Sequence, residues 1–203
     1  MQFKNITPFL LISLIIINAI MFSAGYYSKE TSNINMLTNT EEKIILLRAN
    51  EIENNSFTPK KFREYLEQLN IKYPWIVYSQ SLIESAHFTS PVWKNNHNLL
   101  GMKKSTLRAT KNKGTELNHA YFDTWKDCVD DYALWYNRYR ICDLTEKQYL
   151  EFLQKNYAES KDYLNLLNKI IPTVKKHFNT NSKEIEISDE LVKEIDMYYK
   201  QVK

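Results

Sequence analysis

The residues around Glu84 are the strongest candidates for chemistry in this chain. Glu84 is the only charged residue between Lys72 and Lys94, and large apolar side chains surround it. Burial in such a setting raises the pKa of a carboxyl group, and an acid that stays protonated near neutral pH can act as a general acid. Cleavage of a glycosidic bond requires such a proton donor. The alternative, which the stretch itself leaves open, is the solvated edge of an amphipathic helix.

A predicted helix presents this glutamate. It begins at Pro74, because proline favours the first helical position, and runs to about Phe88. On that helix Gln80, Glu84 and His87 form a narrow polar stripe with spacings of about three to four residues. The rest of the helix is apolar nearly all round, which is typical of a buried helix. The stripe therefore either lines a cleft or forms the solvated edge of the helix.

Caps and apolar periodicity predict the other helices. Thr58 before Pro59 is a typical N-cap and first helical residue, and Thr124 with Asp127 resembles a capping box. Pro172 is expected to break or kink the helix that contains it. The predicted helices lie at residues 41–54, 59–70, 125–139, 145–156, 161–171 and 188–201.

The segment between the Glu84 helix and residue 124 is predicted to be mostly irregular. Residues 89–104 are typical of a loop with a turn at Asn95–Asn96. Residues 106–110 are expected to pair with residues 119–122 as two short strands, with KNKG, residues 111–114, as the turn.

Composition excludes several classes of protein. Only 3 glycines occur, which leaves little room for Gly-rich phosphate loops and favours a mainly helical fold. A net charge of +3 does not indicate a nucleic-acid partner, and we expect none. His87, His97 and His119 match no zinc motif, so we expect no metal and no cofactor. Cys128 and Cys142 are expected to be free thiols, because a helix would separate them by roughly 20 Å.

The N-terminus predicts export. Residues 6–25 are apolar and uncharged, with Lys4 before them, and a run of about 20 residues is long enough to span a bilayer. A cleavage site after Ala24 would place Phe22 at a position that favours small residues, so an uncleaved anchor is preferred to a cleaved signal peptide. A buried soluble helix is the remaining alternative. Either export route places the rest of the chain in the cell envelope or outside the cell.

Four segments, in this order, resemble the glucosaminidase family of peptidoglycan hydrolases, glycoside hydrolase family 73. The first contains Gln80, Glu84 and Ser85 on the predicted helix. The other three are NLLGMK at residues 98–103, AYFDTWKDCVDDYALW at residues 120–135 and NYAESKDYLNLLNKII at residues 156–171. The resemblance covers about residues 57–178.

The resemblance implies a lysozyme-like helical domain with a small β-hairpin lobe. It also implies hydrolysis of the β-1,4 bond after N-acetylglucosamine in the glycan strands of peptidoglycan. Glu84 matches the catalytic acid of the family. Asn98 and Gly101 match the loop beside the cleft, and Tyr157 matches a tyrosine that borders the catalytic centre.

Two departures from the family pattern concern the cleft. Where the family often has Gly-Trp-Gly after the glutamate, this chain has Ala86, His87 and Phe88. Many relatives also place a second acid on the β-lobe, and Glu116 is the candidate here. If Glu116 does not act as this second acid, two routes remain. The 2-acetamido group of the substrate can assist the reaction, or water can attack with only one acid in place.

Further residues are expected to contact the glycan. Gln80 and His87 flank Glu84 on the predicted stripe, and Trp93 and Tyr121 can stack on sugar faces. Trp125 and Trp135 are expected in the core. The basic stretch KKSTLRATKNK, residues 103–113, predicts either a lip that attracts carboxylates or a solvated loop.

The predicted organisation has four parts. Residues 1–27 form the anchor or signal peptide, 28–56 a tether with a short helix, 57–180 the catalytic domain and 181–203 an amphipathic C-terminal helix.

Two other functions stay open: a lytic transglycosylase of the same fold, which needs one glutamate, and an inactive wall-binding module.

Overall fold

A computed structural model describes residues 43–48, 53, 55–158, 160, 162–180 and 185–202. The chain divides into two compact units, Met1–Asn54 and Asn55–Lys203. In the first unit, residues 43–48 are helical and exposed. Among the residues described, no helix has both the length and the apolar character that crossing a membrane requires. The predicted N-terminal span, residues 6–25, lies outside the described residues.

The second unit is mainly helical with a small antiparallel sheet, as the sequence predicts. Its helices are α1 (Pro59–Gln68), α2 (Pro74–Glu84), α3 (Pro91–Asn96), α4 (Trp125–Arg138), α5 (Glu146–Asn156), α6 (Tyr163–Thr180) and α7 (Asp189–Val202). The strands are β1 (Gly114–Glu116) and β2 (His119–Tyr121), and a short 3₁₀ helix spans Ile141–Asp143.

Helix α2 lies at the centre of this unit. It packs chiefly against α6 and also against α7 and α1. Ile76, Val77, Leu82 and Ile83 are buried on different sides of the helix, which confirms that an apolar helix of this kind is an interior one. A central helix with its last residue at a cavity gives Glu84 a rigid support.

The predicted caps are present at the helix starts. Thr58 accepts a hydrogen bond from the Lys61 amide at 3.1 Å, with Pro59 as the first helical residue. Thr124 and Asp127 form the predicted capping box at the start of α4. These local bonds satisfy amide groups that the first turn of a helix leaves without partners.

The predicted extension of α2 to Phe88 is wrong. The helix ends at Glu84, and Ala86, His87 and Phe88 have φ values of +47°, +52° and +64°. The hydroxyl of Ser85 accepts a hydrogen bond from the Phe88 amide at 2.9 Å and so holds this left-handed turn. His87 therefore leaves the face of α2 that carries Gln80 and Glu84.

The predicted loop after Phe88 contains a helix, α3. Ser90 caps it by accepting a hydrogen bond from the Trp93 amide at 3.1 Å, and Pro91 is its first residue. Asn96 is the last residue of α3 and not part of a turn. The left-handed residue that ends the helix is His97, with φ +50°.

A hairpin is present, but its predicted register is wrong. Strand β1 begins at Gly114 and pairs with β2 so that Thr115 lies opposite Ala120. The turn is Leu117–Asn118, with φ values of +49° and +58°, as a two-residue type I′ turn requires. Residues 106–110 form no strand, and KNKG precedes the hairpin or begins it.

Replacing Leu117 by asparagine should stabilise the protein by about 1 kcal/mol. A leucine at positive φ is strained, whereas asparagine tolerates that conformation. Leu117 is also exposed, so little packing is lost. The free energy of unfolding in urea measures the effect. The matched control is Leu107→Asn, another exposed leucine but without positive φ, which should stay within about 0.5 kcal/mol of wild type. Equal shifts in both variants would contradict the strain at Leu117.

Two further predictions had opposite outcomes. Helix α6 continues through Pro172 to Thr180, so the expected break is wrong. Cys128 is buried and Cys142 exposed, and both are free thiols as predicted.

Candidate active site

Glu84 opens onto a cavity of about 320 Å³. As the last residue of α2 it is 5% exposed. Three other segments complete the cavity wall, namely the loop after α3, the end of α4 and the end of α5. The described lining residues besides Glu84 are Gly101, Met102, Lys103, Lys104, Ser105, Leu107, Arg108, Trp135, Arg138, Tyr139, Asn156 and Tyr157.

The backbone of Gly101 lies directly against the carboxyl group of Glu84. A Cβ atom at this position would lie 2.2 Å from Glu84 Oε2 and 2.9 Å from its Cδ, and the φ angle of Gly101 is +63°. Only glycine meets both conditions without movement of the loop or of the acid. The glycine of the predicted loop motif therefore fixes how closely the chain approaches the acid.

Asn98 closes the loop that carries Gly101. Its Nδ2 donates to the carbonyl oxygens of Met102 at 2.9 Å and Ala120 at 2.8 Å, and its Oδ1 accepts from the Met102 amide at 3.0 Å. The side chain is completely buried and does not line the cavity. The structure thus places Asn98 where it shapes the loop, outside the lining of the cavity.

Tyr157, at the end of α5, holds the same loop from the other side. Its hydroxyl donates to the Leu100 carbonyl, and Met102 Sδ lies 3.6 Å away. Burial, and secondly the charge of Glu84, raise the pKa of Tyr157 well above its ordinary value. The hydroxyl therefore stays protonated and keeps its role as a donor beside the acid.

The chain matches the family model of the glucosaminidases, described as mannosyl-glycoprotein endo-beta-N-acetylglucosaminidase, over residues 59–176. That is more than half of the chain. The chain belongs to the glucosaminidase family. A search of the curated proteins and of the solved structures found no match. The family domain indicates a glycoside hydrolase of the peptidoglycan hydrolase type, which acts in the cell envelope or outside the cell.

The glucosaminidase domain places Gln80 in the core, one helical turn before Glu84. Its Oε1 accepts hydrogen bonds from Tyr132 at 2.6 Å and from Tyr149 at 3.2 Å. The two tyrosine hydroxyls also hydrogen-bond to each other. Gln80 is completely buried and lies outside the cavity lining, so its visible role is to tie α2 to α4 and α5.

Four other predicted site residues of the glucosaminidase domain lie away from the Glu84 cavity. His87 lines a second cavity of about 370 Å³ with Tyr78 and Leu82. Burial lowers the pKa of His87, and the charge of Asp196 opposes this. Trp93 lines a separate cavity near Trp125. Glu116 is exposed on β1, and the ring of Tyr121 lies against Gly114.

The sequence interpretation missed the aromatic and basic residues at the end of α4. Trp135, expected in the core, is half-buried and lines the glucosaminidase cavity together with Arg138 and Tyr139. Trp125 is buried as expected. A signal was present, since Trp135 and Tyr139 are four residues apart and so share one face of a helix. Sequence spacing alone does not tell which face meets a cavity.

The basic stretch divides into two parts in the glucosaminidase fold. Lys103, Lys104 and Arg108 line the cavity, whereas Lys111 and Lys113 do not.

Among the residues for which side chains are described, no group of three or more His, Cys, Asp or Glu is placed to hold a metal ion.

A buried ion pair fastens the basic stretch to α4. Arg108 donates to both carboxylate oxygens of Asp131, at 3.0 Å and 2.6 Å. The Lys111 amide donates to the same carboxylate at 2.7 Å. Residues 103–113 have no regular structure before β1, so this pair supplies the constraint that a helix or strand would otherwise give.

Replacing Gly101 by alanine should lower turnover of peptidoglycan about 10²-fold. The added methyl group must displace the Glu84 carboxyl or the loop, and a misplacement of about 1 Å in an active site can cost this much. The left-handed φ adds a loss of about 1–2 kcal/mol in the free energy of unfolding. The rate of peptidoglycan solubilisation and urea unfolding measure the two effects.

The matched control for this change is Gly114→Ala. A Cβ at Gly114 would lie 2.6 Å from Cε1 of Tyr121, the movable end of a side chain outside the Glu84 cavity. We expect its turnover to stay close to wild type. Full activity in Gly101→Ala would show that the approach of the loop to Glu84 does not set the reactive geometry.

Proposed function

We propose that this glucosaminidase hydrolyses the β-1,4 bond after N-acetylglucosamine in peptidoglycan, in a lysozyme-like fold, with Glu84 as the general acid. One observation carries this proposal. Glu84 is the only carboxylic acid among the described residues that line the cavity. Its position at the end of a central helix, against Gly101, gives the acid the fixed geometry that proton transfer needs.

In the proposed reaction Glu84 gives its proton to the glycosidic oxygen while the bond from that oxygen to C1 breaks. Gly101 and Tyr157 hold the loop and the acid in place. The positive charge that develops at C1 requires a second group. The carbonyl oxygen of the substrate's own 2-acetamido group can bond to C1 and close a five-membered ring. Water then attacks C1, which opens this ring, and gives a proton to Glu84.

The substrate-assisted route is preferred to a protein base. Glu116 is exposed on β1 and does not line the cavity around Glu84. Its main-chain oxygen accepts a hydrogen bond from Asn96 at 2.6 Å, a bond that ties the strand to α3. Glu116 as the base that activates water remains a prediction, which the variant pair in the Discussion tests.

Because Glu84 is the only acid among the described residues of the cavity lining, a second candidate is a lytic transglycosylase. Such an enzyme needs one glutamate and closes a 1,6-anhydro ring on muramic acid in place of adding water. The departure at Ala86–Phe88 favours a third, a wall-binding module without turnover. The family match supports the hydrolase.

Products of digestion separate these functions. The full-length chain is incubated with purified peptidoglycan, and the soluble fragments are identified by mass spectrometry. Reducing N-acetylglucosamine ends are the expected result. Anhydro-muramic ends would replace the hydrolase by the transglycosylase, and binding without fragments would identify the wall-binding module.

We also propose that residues 6–25 anchor the domain to the membrane so that it acts on the adjacent wall. The apolar run after Lys4 supports this. Mass spectrometry of the protein from a membrane fraction tests it. An intact N-terminus is expected, and a mature chain that begins after Ala24 in the soluble fraction would contradict it.

A further inference from the structure

Two aromatic side chains at the C-terminal end of α4, Trp135 and the C-cap residue Tyr139, form one wall of the Glu84 cavity. Trp135 and Tyr139 lie one helical turn apart, with ring centroids 5.5 Å from each other and ring planes inclined at 55°, and both line the cavity. Tyr139 is 50% exposed. We call these two rings the α4 platform.

The platform is held from behind by other aromatic rings. The Trp135 ring packs against Tyr157, with centroids 5.2 Å apart, and against Phe152 at 5.8 Å. Tyr139 also packs against Phe152, at 5.6 Å. A rigid ring that keeps part of its surface open to a cavity is suited to stacking on the apolar face of a pyranose, because little side-chain conformational freedom is lost on binding.

Two positive charges flank the platform without a partner in the part of the chain that the structure describes. Arg138 lies between the platform residues in sequence, and Lys104 is on the facing loop; both line the cavity. Arg108, by contrast, is paired with Asp131, and Lys103 donates to the Asn118 carbonyl at 3.1 Å. Among the described lining residues, Arg138 and Lys104 therefore have the side chains that are most free to take up an anionic group.

We propose that the α4 platform with Arg138 is a subsite for a sugar that carries a carboxylate. The ring of that sugar stacks on the more exposed ring, Tyr139, with Trp135 beside it, and its carboxylate faces Arg138 and Lys104. This inference rests on the proposed function, since it assigns one part of the same glycan to one wall of the cavity. A neutral polymer of N-acetylglucosamine has the stacking face but not the charge, so the subsite discriminates between the two.

In peptidoglycan this carboxylate has two sources. One is the lactyl group of muramic acid in strands without peptides, and the other is the peptide itself. Their shared chemistry is a carboxylate on a β-1,4 glycan, and glycan strands with and without peptides distinguish them.

Binding to the full-length Glu84→Gln chain tests the subsite without turnover. The probes are a chitin oligosaccharide, a peptide-free glycan strand of equal length and a peptide-bearing strand, each titrated by calorimetry. We expect at least one carboxylate-bearing strand to bind about tenfold more tightly than chitin, and the strand that does so identifies the source. The preference should shrink at high salt, because screening weakens exposed charge pairs.

Substitutions in the same background separate charge from stacking. Arg138→Gln should remove the tenfold preference and leave chitin binding unchanged, while Tyr139→Ala should weaken all three probes. Arg140→Gln is the control, since Arg140 is exposed, paired with Asp143 at 2.6 Å and outside the cavity lining. In this variant the preference for a carboxylate-bearing strand over chitin should equal that of the Glu84→Gln background. Equal binding of chitin and both strands, or a preference that survives Arg138→Gln, would overturn the subsite.

Failure of the subsite and failure of the proposed function give different results. Suppose that wild type hydrolyses peptidoglycan and that Arg138→Gln has the same KM as wild type for peptide-free and for peptide-bearing strands. That result would rule out the subsite and leave the proposed function standing. A preference that depends on Arg138 in a chain that releases no fragments would remove the proposed hydrolysis and keep the subsite.

Discussion

Glu84→Gln should lower the rate of peptidoglycan hydrolysis by about 10³-fold, with KM nearly unchanged. The amide has the shape of the acid but cannot give up a proton, and positioned general acids contribute rate factors of about 10² to 10⁴. The size and packing of the side chain are kept beside Gly101, so the folded structure should remain. Release of reducing ends from purified peptidoglycan measures the rate, and circular dichroism verifies the fold.

The matched control is Glu116→Gln, the same change at an exposed acid on β1. In the substrate-assisted route this variant keeps a rate close to wild type. A loss as large as that of Glu84→Gln would instead establish Glu116 as the second carboxylate. If Glu84→Gln itself turned over normally, Glu84 would have no role in the chemistry.

Asp131→Asn should lower the free energy of unfolding by about 3–5 kcal/mol. Asp131 is 0% exposed and its partner Arg108 is 7% exposed, so the substitution leaves a positive charge in the interior without its counter-charge. Breaking a buried pair in this way is strongly destabilising. The measurement is urea unfolding followed by tryptophan fluorescence.

The exposed ion pair of Lys113 and Asp123 supplies the comparison. Lys113 Nζ lies 2.7 Å from Asp123 Oδ2. The pair ties the C-terminal end of the same basic stretch to the residue that follows Phe122. Because both side chains are in solvent, Asp123→Asn should cost less than about 1 kcal/mol. Similar small shifts in the two variants would show that Arg108 finds solvent or another partner when Asp131 is neutral.

The buried pair also matters for activity. Residues 103–108 form one side of the Glu84 cavity, and Asp131 accepts hydrogen bonds from both Arg108 and the Lys111 amide. Asp131→Asn should therefore reduce turnover even at temperatures where the chain stays folded. A folded variant with full activity would show that the loop does not need this constraint.

The sequence by itself determined the features that are encoded locally. Thr58 and Thr124 cap their helices because capping depends on a few neighbouring residues. The apolar surface nearly all round the helix that carries Glu84 predicted that this helix is buried, and the four ordered segments predicted the family. Caps depend on residues within a turn of chain, and the resemblance depends on the order of segments along the sequence, so neither requires knowledge of the tertiary contacts.

Turns formed by residues that rarely adopt positive φ were not predictable in this way. Helix α2 ends at Glu84 because the chain takes a left-handed turn through Ala86–Phe88, although none of these residues is glycine. The hairpin register follows from a turn at Leu117–Asn118, where leucine is an unexpected residue for positive φ.

The tertiary structure alone decided which residues share the cavity with Glu84. Trp93 and Trp135 are both aromatic residues on helices, yet only Trp135 lines it. Gln80 lies one turn from the acid, but α4 and α5 enclose it through Tyr132 and Tyr149. Periodicity identifies a face of a helix, whereas packing against other segments decides whether that face meets core, solvent or substrate.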